Sequence, residues 1–142
     1  MDSGENAGYF VWSCNNDGSR LAHGPAPDSE EFFAMALFFA STVREMAMNA
    51  PFNYGTQARD LLRTCLHKAQ DGIGHPMWDP HNKLIKFIPN CDYSDPSYQL
   101  PHFYVLFALW AYPEDRPFWT EAWVSDKSLP SCDGASARIC LL

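Results

Sequence analysis

A chain of 142 residues is long enough for one ordinary domain, whose core would bury roughly two-thirds of the unfolded surface. With 46% apolar residues, a mean hydropathy of -0.28 and no apolar run near the ~20 residues of a membrane-spanning helix, it reads as a globular domain with no membrane partner. The net charge of -7, with Lys and Arg scattered, excludes the clustered basic face that a nucleic-acid partner requires.

The segment Met1 to Gly8 is acidic and small, with no charged stretch leading into an apolar one, so the expected location is cytoplasmic, with secretion the alternative if the true N-terminus lies upstream. Cys14, Cys65, Cys91, Cys132 and Cys140 show neither zinc-site spacing nor the even count of a disulfide framework, and free thiols are the expectation. Residues 9 to 24, YFVWSCNNDGSRLAHG, read as a β-hairpin around Asn-Asp-Gly. Trp12 lies on it, either as a hairpin core residue or as an aromatic face open to a ligand.

Asp28 follows a Pro-rich turn. With Glu31 three residues later it fits a capping box, and the same place at a helix N-terminus would hold a carboxylate rigid beside a substrate. From Glu30 to about Ser41 the run EFFAMALFFAS is apolar on every face, which marks a helix buried all round. Thr56 to Gln70 differs: Ala58, Leu61, Leu62, Cys65, Leu66 and Ala69 repeat at helical spacing while Arg59, Asp60, Arg63, His67 and Lys68 fill the other side. That helix belongs on an outer layer.

A second hairpin is expected at 77 to 89, MWDPHNKLIKFIP. In NCDYSDPSYQLPHFY, Ser94 or Asp95 before Pro96 signals a helix start, with Tyr98 one turn in, where its ring could stack on a sugar. His102 to Tyr112 is again apolar all round, and Pro117 to Val124 returns to a partial stripe with Phe118, Trp119, Ala122 and Trp123. MALFFA and LFALWA recur about seventy residues apart, so the order inner, outer, inner, outer suggests a repeated helical hairpin. Two such hairpins would leave apolar flanks of the inner layer uncovered. No nucleotide-cofactor, metal or serine-nucleophile motif is present, and the five histidines fall in no ligand pattern, so no cofactor is expected.

The stretches AGYFVWSCNNDGSRLAHGPAPDSEEFFAMALFFAS, PFNYGTQARDLLRTCLHK and GHPMWDPHNKLIKFIPNCDYSDPSYQLPHFYVLFALWAYPEDRPFW are together similar to glycoside hydrolase family 8, and within it to the reducing-end xylose-releasing exo-oligoxylanases. The resemblance implies an all-α architecture, part of an (α/α)6 six-hairpin barrel with short β-hairpins in its loops. It implies hydrolysis of β-1,4-linked xylooligosaccharides with inversion, by a Glu general acid and an Asp general base roughly 6.5–9.5 Å apart. Asp28 corresponds to a further, substrate-positioning Asp, Trp12 to a sugar-stacking Trp and Tyr98 to a Tyr lining the cleavage subsite. The segments bearing the acid and base in the family correspond to neither end of this chain, so residues 1–123 are expected to be an internal piece of the catalytic domain. Endo-acting members of the family, and an inactive carbohydrate-binding remnant, are the alternatives.

Two stretches depart from the family. Thr42 to Asn49, TVREMAMN, replaces a glycine- and acid-rich loop of equal length; read one base out of frame, its codons can spell His-Arg-Pro-Gly-Asp-Gly-Asp-Glu. Residues 124–142 lose both helical periodicity and resemblance. Frame errors in the gene would account for both, and resequencing decides the matter.

Overall fold

The computed structural model describes residues 1–43, 52–70 and 72–127. Most of the 42–49 replacement and nearly all of the 124–142 tail lie outside these residues. Four α-helices are formed: α1 (Pro27–Val43), α2 (Tyr54–His67), α3 (Pro101–Trp110) and α4 (Arg116–Lys127). Their order and placement follow the sequence expectations to within a few residues.

Three of the four helices start for a local reason. Pro27, whose missing N–H costs nothing at a helix entrance, opens α1, and Asp28 and Glu30 put negative charge in its first turn. Asn53 caps α2, its Oδ1 accepting the Thr56 N–H at 3.1 Å. Replacing Asn53 by alanine orphans that donor, with an expected cost of about 1 kcal/mol in a urea-unfolding midpoint measurement. Pro101 opens α3 after Leu100, which offers no side-chain cap. Beyond α2 the chain turns sharply through Ala69, which takes the left-handed conformation at φ 83°.

The helices pack as two hairpins, α1 on α2 and α3 on α4, with α1 also meeting α3. Aromatic side chains bridge the hairpins: Phe32 meets Phe103 edge-on at 5.3 Å, and Phe38 lies 5.5 Å from Trp110. Within the first hairpin, Ala34, Met35 and Phe38 of α1 and Ala58, Leu62 and Cys65 of α2 are buried. Trp78, from the loop preceding α3, enters the second hairpin and lies edge-on to Trp119 at 5.0 Å, both rings fully enclosed. That loop is tied back to α2 by the Met77 N–H on the Cys65 carbonyl at 2.8 Å.

The two kinds of helix differ as the sequence implies. α2 turns Arg59, Asp60 and Arg63 away from its buried stripe. α1 and α3, apolar all round, leave Phe32, Phe33 and Phe39, and Val105 and Leu109, exposed on the sides no neighbour covers. No helix among the described residues is long and apolar enough to cross a membrane.

Both expected β-hairpins are reduced to isolated antiparallel bridges. The first survives as its turn: Cys14 bridges Arg20, Asn15 N–H reaches the Ser19 carbonyl at 2.8 Å, and Gly18 adopts φ 83°. Its arms gain no third strand and bury little, and a lone two-stranded ribbon has too little to stabilise it. In the second, Asp79 Oδ1 accepts the N–H groups of His81 and Asn82, which curls the chain after Pro80 and leaves single bridges Trp78 to Ile85 and Lys86 to Ser94.

Candidate functional site

Of the three residues singled out from the sequence, Asp28 lies in the first turn of α1, Tyr98 comes within electrostatic reach of it, and Trp12 lies on the segment that leads toward that helix. Asp28 sits inside the first turn of α1 and is exposed. The expected capping box is not formed. Asp28 is already helical, so it is no cap, and neither carboxyl oxygen of the buried Glu31 has a hydrogen-bond partner. The Asp28 carboxylate is thus free to face outward.

Tyr98 reaches this end from the other hairpin. Asp95 caps the 3₁₀ turn Pro96–Tyr98, its Oδ1 accepting the Ser97 N–H at 2.8 Å and the Ser97 hydroxyl at 2.7 Å. Tyr98 therefore belongs to a separate turn, not to the first turn of α3, because the chain extends again at Gln99 before Pro101. Its phenol is pushed above its ordinary pKa first by partial burial, then by the negative charges of Asp28 and Asp95. Tyr98 and Asp28 are accordingly neighbours in the electrostatic sense.

Trp12 is 63% exposed, so the core alternative fails and its ring is open to a ligand. Two backbone hydrogen bonds carry its segment to the start of α1: Trp12 N–H to the Gly24 carbonyl at 3.3 Å, and Phe10 N–H to Glu30 Oε1 at 2.8 Å. Phe10 also meets Phe33 of α1 edge-on at 5.0 Å.

Sequence reasoning missed two features here. One is an aromatic row: Tyr98 stacks on Phe87 at 6.1 Å and Phe87 on Tyr93 at 5.6 Å, with Tyr93 exposed. The available signal was the spacing of Phe87, Tyr93 and Tyr98 around a Pro- and Asp-rich turn. The other is the buried acid pair after Asp28. Burial drives Glu30 up to about 7 against the lowering effect of the Phe10 N–H. Glu31 is driven to about 9 by burial first, with the charges of Asp28 and Glu30 adding to it and the Tyr104 hydroxyl opposing.

A cavity of about 430 Å³ opens elsewhere, along the outer face of α2, lined by Asp60, Arg63, Thr64, His67, Lys68 and Gln70. Its basic side chains have partners within the chain. Arg63 pairs with Glu114 and Asp115, His67 Nε2 lies 2.6 Å from Asp115 Oδ1, and Lys68 donates to the Ala7 carbonyl at 2.6 Å. This constellation clamps α2 to the turn between α3 and α4.

No family model matches the chain. Among curated proteins it is 61% identical, over 122 residues, to a reducing end xylose-releasing exo-oligoxylanase of Halalkalibacterium halodurans; the match covers 86% of this chain and 31% of that protein. It is 53% identical over 122 residues to the enzyme of the same description from Bifidobacterium adolescentis, covering 86% of this chain and 32% of the relative. A crystal structure of a reducing end xylose-releasing exo-oligoxylanase superposes with a TM-score of 0.83 at 69% identity, over 89% of this chain and 33% of that one. A variant of such an enzyme complexed with xylobiose superposes with a TM-score of 0.85 at 58% identity, over 89% of this chain and 34% of that one. The chain thus spans about a third of the length of the relatives it matches.

Proposed function

We propose that this chain, a homologue of the reducing end xylose-releasing exo-oligoxylanases, is a section of an inverting glycoside hydrolase that releases xylose from the reducing end of β-1,4-xylooligosaccharides. The observation that carries this reading is the match to those enzymes, 61% identical in sequence over 122 residues of this chain and with a TM-score of 0.83 in backbone. The xylobiose complex of a relative supports a xylooligosaccharide as the ligand of this surface. In the finer architecture proposed, the two helical hairpins are part of an (α/α)6 barrel, and the apolar sides of α1 and α3 are where further hairpins pack.

In this reading Asp28 holds sugar hydroxyls by charge-assisted hydrogen bonds while Trp12 and Tyr98 supply ring faces. The general acid and base come from residues beyond the 142, a separation of roughly 6.5–9.5 Å between them leaving room for the attacking water. The chain by itself is then expected to bind sugar without turning it over, because general acid–base assistance contributes about 10²–10⁴ in rate. It is also expected to be poorly soluble, with Phe33, Phe39 and Leu109 bare. Xylotriose hydrolysis by the purified chain, followed by chromatography of the sugars, would show that the acid and base are within it. In the complete enzyme, release of xylose from the labelled reducing end supports the exo reading, and internal cleavage of long xylan overturns it.

A further inference from the structure

We propose that Phe87 is a positioning residue for Tyr98: its ring, stacked on the ring of Tyr98, fixes the plane in which Tyr98 is offered to a sugar. This inference rests on the sugar-binding reading of Tyr98.

The turn that carries Tyr98 has little means of holding that side chain itself. Pro96–Tyr98 is three residues long, and the backbone is extended on both sides of it, at Asp95 (φ -104°, ψ 116°) and at Gln99 (φ -73°, ψ 114°). On so short a piece the ring has no helical neighbour three or four positions away to lean on. Asp95 fixes the backbone of the turn, through the Ser97 N–H and hydroxyl, and leaves the side-chain torsions of Tyr98 unset. A ring left to swing between rotamers would lose that freedom on meeting a ligand, at a cost in affinity.

Phe87 supplies the missing support. Its ring centre lies 6.1 Å from that of Tyr98 with the planes 19° apart, an offset parallel stack. Tyr93 stacks on Phe87 in turn, at 5.6 Å and 16°, so Phe87 is itself held by a second ring. The backbone beneath is tied in two directions. The Phe87 N–H donates to the Tyr93 carbonyl at 3.1 Å, and the Cys91 thiol donates to the same carbonyl at 3.2 Å, which closes the turn between the two rings. Toward the core, the N–H of Lys86 donates to the Met77 carbonyl at 2.9 Å, and Ile85 bridges Trp78. Met77, Trp78 and Ile85 are all fully enclosed. A continuous path of fixed groups therefore leads from the interior of the second hairpin, through Phe87, to the face of Tyr98.

The test uses the 142-residue chain with xylobiose as probe and ¹³C-labelled tyrosine rings. Phe87→Leu and Phe87→Met keep an apolar side chain and remove the flat face, and each is expected to weaken xylobiose binding about three- to tenfold. Phe87→Tyr restores the ring and is expected to bind within about twofold of the parent. In a Tyr98→Ala background, Phe87→Leu is expected to cost no further affinity, because a residue that acts through Tyr98 has nothing left to act on. A purely structural role would give the same loss in both backgrounds, and that result overturns the proposal, as does unchanged binding by both Phe87→Leu and Phe87→Met. The ring-proton resonances of Tyr98, displaced upfield by the neighbouring ring, are expected to move downfield in Phe87→Leu and Phe87→Met and to stay in place in Phe87→Tyr. Resonances that do not move overturn the proposal whether or not sugar binds. A parent chain that fails to bind xylobiose overturns the sugar-binding reading, and the Tyr98 resonances still decide whether Phe87 holds the ring.

Discussion

Replacing Trp119 by alanine is expected to lower the unfolding free energy by about 3–5 kcal/mol, a large share of what a single domain has. The ring is fully enclosed and touches aromatic partners on several sides: Trp78 and Phe107 edge-on at 5.0 Å each, Phe118 at 5.4 Å and Tyr104 at 5.6 Å. Truncation removes all of these contacts at once and leaves a cavity that the rigid ends of α3 and α4 cannot close. Its Nε1–H has no partner, so what it contributes is ring packing and not a hydrogen bond. Trp119→Phe should accordingly recover much of the loss. Urea unfolding followed by far-UV circular dichroism measures both variants. A loss below about 1 kcal/mol for the alanine variant would contradict the packing described for the second hairpin.

The second large effect is expected at Asp28. Hydrogen bonds to a charged group are worth about 1.5–3 kcal/mol, so Asp28→Ala should weaken xylobiose binding roughly ten- to hundredfold. The cost to folding should be small by comparison. Asp28 is exposed and has no capping role, and what remains is its favourable placement at the positive end of the α1 dipole, about 0.3–1 kcal/mol. Calorimetric titration of xylobiose, paired with a thermal melt, separates the two contributions. Equal affinity in the variant and the parent would remove Asp28 from the site.

The helices were legible because each is written in a local code that the tertiary structure does not overrule. The one-sided stripe of Thr56 to Gln70 marks the buried side of α2, and the all-round apolar runs ending at Ser41 and Tyr112 mark α1 and α3, on which Phe32, Phe33, Phe39, Val105 and Leu109 stay exposed. The hairpins were misjudged for the opposite reason. Alternation and an Asn-Asp-Gly turn specify a ribbon only when something lies along its edge or under its face, and in residues 9 to 24 only the first two residues pack against the helices. The capping box around Asp28 fits the local pattern, yet Glu31 lies fully buried with neither carboxyl oxygen hydrogen-bonded, a placement set by packing and not by the local motif. The stacked row of Tyr98, Phe87 and Tyr93 is likewise a product of how the loop before α3 curls after Pro80. Trp12 and Tyr98 were identified from the resemblance. Their approach to the start of α1 depends on backbone hydrogen bonds and caps that no pattern of side chains announces.

The pairing of each inner helix with the outer helix that follows it has a bearing on synthesis. Since α1 packs chiefly on α2, and α3 chiefly on α4, each pair can begin to assemble as soon as its second member leaves the ribosome, with the bridging contacts between pairs following. The slow and hazardous interval is the one that follows. With Phe33, Phe39 and Leu109 bare, every nascent copy presents the same adhesive edge to its neighbours and is a target for chaperones and proteases.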